Sequence, residues 1–172
     1  MMEHKVEGRA ARSPVISVVP NAGIVTSFER AVHLLGGEQH LGRRVMGPLD
    51  VHVIILNGMP TSAVICLIKE LDHLKVTKSM EGAVGFSLRT LQRRRGMPER
   101  PLTREQGGKI WQFAEILALA TDVLGSQDAA ERWLESPVMA LDRNRPIDLL
   151  ATPAGTEMVK DLLGRLQYGV YT

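Results

Sequence analysis

Apolar residues along the chain recur mostly at intervals of three and four, the period that lines one face of an α-helix. Phe28, Ala31, Val32 and Leu35 keep this interval up to Gly36-Gly37, which predicts a short helix over 27–36 stopped by glycine. Val51, Val53, Ile54, Ile55 and Leu56 are mostly β-branched, so the run from Pro48 to Gly58 suits a buried strand as well as a helix. Pro48 at a first helical turn and Gly58 with Pro60 as a stop favour the helix. Ala63, Val64, Leu67, Ile68 and Leu71 predict another over 61–71, with Cys66 beside the apolar face as core filler.

The stretch VTKSMEGAVGFSLRTLQRRR, residues 76–95, predicts two short helices parted by a glycine turn. Thr77 or Ser79 starts the first, Met80, Ala83 and Val84 form its apolar side, Gly85 breaks it and Ser87 caps the second. Leu88 and Leu91 then face inward while Arg89, Gln92 and Arg93 face outward, a helix-turn-helix pattern. Thr103 followed three residues later by Gln106 is a capping box. It opens a helix about 30 Å long, with Ile110, Ala114, Leu117, Thr121 and Leu124 recurring until Gly125. A helix of this length reads as a stiff strut between two halves. Ser126 caps a helix holding Trp133 and Leu134 that ends before Pro137, and Pro146 opens a brief turn through Leu150. Thr152-Pro153 starts a last helix whose apolar face is Met158, Val159, Leu162, Leu163 and Leu166, closed by Gly169. Residues 1–22 show no period and read as a flexible tail. The fold class this predicts is all-α.

Composition narrows the picture. Of 172 residues 44% are hydrophobic but only 4% aromatic, which favours helices packed on aliphatic side chains. A single cysteine rules out a disulfide within the chain and suits a reducing cytoplasm. No apolar run approaches the length that spans a bilayer. The net charge of +2 says little until its distribution is read. From Arg89 to Arg104 six arginines face one acid, a surplus that calls for an anionic partner, whereas residues 126–172 carry seven acids against five bases.

Three sets of residues could carry function. Ser87, Arg89, Thr90, Gln92, Arg93, Arg94 and Arg95 combine phosphate donors with side chains suited to guanine and adenine edges, so operator DNA is the expected partner of the second short helix. His4, His33, His40, His52 and His73 lack the spacing of a metal site, and no phosphate loop or nucleophile elbow is present. The expectation is therefore no catalytic residue, no metal and no cofactor. The chain also closes on two tyrosines, Tyr168 and Tyr171, straight after a helix, which fits either insertion into a partner or a frayed end.

The run WLESPVMALDRNRPIDLLATPAGTEMVKDLLGRLQYGVYT, from Trp133 onward, resembles the toxin-binding domain of the Xre/MbcA/ParS antitoxin family. The resemblance is carried by Trp133-Leu134, Pro137, Ala140-Leu141, Pro146, Leu149-Leu150, Thr152, Gly155, Val159, Leu163 and Tyr168-Gly169. Asp142-Arg143-Asn144 stands where the family often has paired glycines. GFSLRTLQRRR followed by PLTREQGGKIWQFAEILALATDVLG is similar to the family's helix-turn-helix part, so the likeness covers about residues 60–172. It implies an Xre-like helix-turn-helix domain followed by a small helical toxin-binding domain, divided here as 23–115 for DNA binding and dimerisation and 116–172 for the toxin. It also implies an antitoxin of a type II pair, with a RES-domain toxin that consumes NAD or transfers its ADP-ribose. In such antitoxins the C-terminal segment blocks the NAD pocket, which makes Trp133, Arg165, Tyr168, Gly169, Val170, Tyr171 and Thr172 the implied toxin-binding residues. A homodimer that represses its own operon is implied as well. The alternative is a plain helix-turn-helix regulator with no toxin.

Overall fold

A computed structural model of the chain describes residues 26–74 and 78–169, the side chain of Leu88 excepted. The expected tail at 1–22, Thr77 as a helix start, and Val170, Tyr171 and Thr172 lie outside the described residues. Every regular element among those residues is helical, and the one extended pairing is an isolated bridge between Pro60 and Pro101. The fold is all-α.

Local chemistry explains where each helix begins and ends. Helix α1, Ser27–Leu34, opens on a capping box: the Thr26 hydroxyl accepts from Glu29 N, and the Glu29 carboxylate accepts from Thr26 N. Gly36, at φ +81°, does more than stop it. The left-handed glycine reverses the chain into a second short helix, α2 (Gly37–Leu41), which buries Leu41 and which hydrophobic spacing did not predict. Helix α3, Pro48–Asn57, settles the strand-or-helix ambiguity as helix, with Val51 and Ile54 buried one turn apart. Helix α4 runs Thr61–Glu70 and buries Ala63, Val64 and Leu67.

The predicted helix pair follows as α5, Lys78–Val84, and α6, Leu88–Arg94. Gly85, at φ +80°, makes the turn between them, and the Ser87 hydroxyl accepts from Thr90 N as the cap. The aliphatic stem of Lys109 lies so close over Gly85 that an added Cβ would meet its Cδ at 2.7 Å.

Helix α7, Arg104–Leu124, starts at the predicted Thr103–Gln106 capping box and ends at the left-handed Gly125. It is no strut held between separate bodies. Ile110, Phe113, Ala114, Ile116, Leu117 and Ala118 are all buried, and α1, α3, α5, α8 and α10 pack around it. One hydrophobic cluster, from Ala31 to Leu163, is built on this axis and continues on both sides of residue 115.

Helix α8, Gln127–Glu135, is followed by a 3-10 turn at Met139–Leu141, then α9, Pro146–Leu149, and α10, Pro153–Gln167. Val159, Leu162 and Leu163 form the buried stripe of α10, but Met158 is 45% exposed, because it sits one position off that stripe. After the 3-10 turn, Asp142 (φ +50°) and Arg143 (φ +61°) are both left-handed. A glycine takes this conformation freely, whereas a residue with a Cβ pays about 1–2 kcal/mol.

Glu131 is the charged residue buried in the core among the described residues, where Thr61, Thr121 and Thr156 are the buried polar ones. Fully buried, it accepts from the backbone N–H groups of Asp72 (3.2 Å), His73 (2.6 Å) and Leu74 (2.9 Å), and from Gln127 Nε2 (2.8 Å). One carboxylate thus ties the loop after α4 to α8. Burial pushes its acidity toward the neutral form, yet the donors from Leu74, Gln127, His73 and Asp72 outweigh burial and hold the carboxyl below its ordinary range.

Candidate functional site

Two surfaces gather the residues singled out in the sequence. On α6, Arg89, Gln92 and Arg93 are exposed and share a face at helical intervals of three and four, while Leu91 anchors the opposite side in the core. Ser87 and Thr90 are half-buried, their hydroxyls 3.1 Å apart, so both are engaged in the cap. Arg94 turns the other way. Its Nη1 lies 3.4 Å from the Pro101 carbonyl and its Nε is buried, without a partner among the described residues. Burial, then Arg100 and Arg93, lower its hold on the proton. Arg95 is exposed at the helix end and lines an open cleft of about 400 Å³ with His40, Ser62, Cys66 and Lys69. The structure therefore brings Arg89, Gln92 and Arg93 together and sets Arg94 apart.

The second surface lies at the other end of the chain. Arg165 is exposed on the last turn of α10, and Tyr168, at the helix end, is 80% exposed. The Tyr168 N–H still donates to Gly164 O (3.2 Å), while Gly169, at φ +66°, turns the chain out of the helix. Trp133 is not part of this tip; it is half-buried and packs on the hydrophobic cluster. Met139, in the 3-10 turn that packs on α10, is 72% exposed.

A tie joins α5 to α9. Arg145, just before α9, grips Asp148 with Nε (2.7 Å) and Nη2 (2.9 Å), and Nη2 also donates to the Ser79 hydroxyl of α5 (2.7 Å). The Arg145 hydrogen bonds hold the Asp148 carboxyl below its ordinary range. Sequence reasoning passed over Arg145, Met139 and Glu131. Glu131 alone left a signal: it occupies the same face of α8 as the buried Ala130 and Leu134, a core position for a charged residue.

Among the described residues no three His, Cys, Asp or Glu side chains converge to hold a metal ion, and no helix is long and apolar enough to cross a membrane.

Residues 119–169 match the family model of the antitoxin Xre/MbcA/ParS C-terminal toxin-binding domain. That segment contains the end of α7, α8, α9 and α10. The chain is 35% identical over 91 residues to Antitoxin Xre of Yersinia enterocolitica, a match that covers 52% of this chain and 61% of that relative. It is 30% identical over 120 residues to Antitoxin Xre of Pseudomonas putida, covering 70% of this chain and 72% of the relative. Antitoxin Xre of Photorhabdus laumondii matches at 29% over 69 residues, 40% of this chain and 47% of that protein. The match to the Pseudomonas putida protein spans more than two thirds of both chains. By that breadth of similarity, the chain belongs to the Xre/MbcA/ParS antitoxin family.

Proposed function

We propose that this protein is the antitoxin of a type II pair, acting by binding and not by catalysis, in the cytoplasm. Its partner is a RES-domain toxin that consumes NAD or transfers its ADP-ribose, and the end of α10 with residues 168–172 blocks the toxin's NAD pocket. The observation that carries this reading is Tyr168: a large aromatic side chain, 80% exposed, at the tip of the last helix of a segment matched as toxin-binding. An aromatic left in solvent gains most by entering a partner's pocket. Removal of residues 168–172 is expected to restore NAD consumption by the co-expressed toxin to most of its uninhibited rate. Inhibition unchanged by the truncation overturns the blocking role.

The same reading divides labour along the chain, with 23–115 serving DNA binding and homodimerisation and 116–172 serving the toxin. Arg89, Gln92, Arg93 and Arg95 form the operator face, supported by their shared exposure on and just beyond α6. Arg89→Ala and Arg93→Ala should each weaken operator binding and lower the salt slope of log K by about 0.9 for each phosphate no longer neutralised. Arg94→Ala, whose guanidinium is turned toward Pro101, should leave the slope unchanged. Fluorescence anisotropy against salt concentration decides it: equal slopes for all three variants place the DNA interface elsewhere.

A further inference from the structure

We infer that the turn at 137–144 is a second toxin-recognition element, separate from the C-terminal tip. Its occupant is the toxin itself, offering an apolar hollow for Met139 and an acidic group for Arg143. This rests on the antitoxin reading above.

The turn lies inside the segment matched as toxin-binding, residues 119–169. Met139 holds 72% of its surface in solvent and is flanked by exposed Pro137 and Ala140. Methionine is flexible and polarisable, and it is enriched where protein surfaces meet.

Arg143 supplies the charge. Arg132 and Arg145, its neighbours in sequence, are each paired within the fold, to Asp128 and Asp148. Arg143 makes no ion pair among the described residues and stands exposed at φ +61°. A glycine would hold that backbone at lower free energy. Among the described residues no hydrogen bond or ion pair of the arginine side chain offsets its strain, and strain of this kind clusters where a side chain is used outwardly.

The backbone that presents both residues is fixed. Arg143 N donates to Val138 O (2.9 Å), Val138 N donates to Asn144 O (3.1 Å), and Asn144 Nδ2 donates to Leu141 O (2.9 Å). Leu141 is buried beneath them. A surface held this firmly loses little entropy when a partner docks. In this arrangement the tip closes the cofactor pocket, and the turn sets how tightly the toxin is held.

The test uses the whole 172-residue chain and the RES-domain toxin proposed above as its partner. Arg143→Gly should raise the melting temperature by about 2–4 °C while weakening toxin binding at least about tenfold, with a shallower salt dependence. Met139→Ala should leave the melting temperature unchanged and weaken binding by about fivefold or more. Stability rises and affinity falls in the same variant, a split that a merely structural turn does not give. Wild-type affinity in both variants overturns the proposal and leaves the blocking tip untouched. Loss of helical circular dichroism together with binding assigns the turn to folding and overturns it too. A wild-type chain that does not bind the toxin sinks both readings.

Discussion

Glu131→Gln is expected to destabilise the fold by about 2–4 kcal/mol at neutral pH. Both carboxylate oxygens accept: Oε1 from Asp72 N and Gln127 Nε2, Oε2 from His73 N and Leu74 N. An amide keeps one oxygen and turns an NH2 group toward two donors, leaving buried N–H groups unpaired. The pH dependence follows from the lowered acidity of the folded carboxyl. A depressed folded value adds stability that is fully present above the ordinary carboxylate range and is lost as pH falls through the folded value. Urea unfolding of wild type and variant should therefore differ most near neutrality and converge in acid. A gap that stays constant down to about pH 3, well below the usual Glu range, would show that the charge of Glu131 is not what matters.

Gly155→Ala should cost about 3 kcal/mol, near the upper end for overpacking. A Cβ at this position would stand 2.2 Å from Leu149 O, 2.9 Å from its carbonyl carbon and 3.0 Å from its Cα. All three are backbone atoms, so no side chain can rotate away, and α9 must shift from the start of α10. The shift also threatens the cap, since Gly155 N donates to Thr152 Oγ1. Gly164, in the same helix, meets nothing within 4 Å, so Gly164→Ala should stabilise by about 0.5–1 kcal/mol through helix propensity alone. Thermal melts of the two variants should move in opposite directions; a Gly155→Ala melt at the wild-type temperature refutes the close approach.

The helices were legible where the signal was local. Ser87, Thr103, Ser126 and Thr152 each cap the helix that their residue type and position predict. Periodicity found α3 despite its β-branched residues, because proline and glycine marked its ends. What escaped depends on packing between residues distant in sequence or on φ. Helix α2 was hidden by Gly36-Gly37, since the same glycines that end a helix can turn the chain into another. The length of α7 suggested a strut, and only the packing of five other helices around it makes it the centre of the core. The outward arginines of α6 could be read from the helical period except for Arg94, whose direction is fixed by the loop at Pro101. The left-handed pair at Asp142 and Arg143 was visible only as an unusual substitution, because aspartate tolerates a positive φ without requiring it and arginine does not announce one.

Helix α5, the first member of the helix pair that carries the arginines, rests directly on α9, and Ser79 and Arg145 bond across that junction. The helix pair that carries the arginines and the segment matched as toxin-binding therefore meet at one shared junction. A displacement of α9 is expected to reach α5 directly, through their packed faces and the Arg145–Ser79 bond.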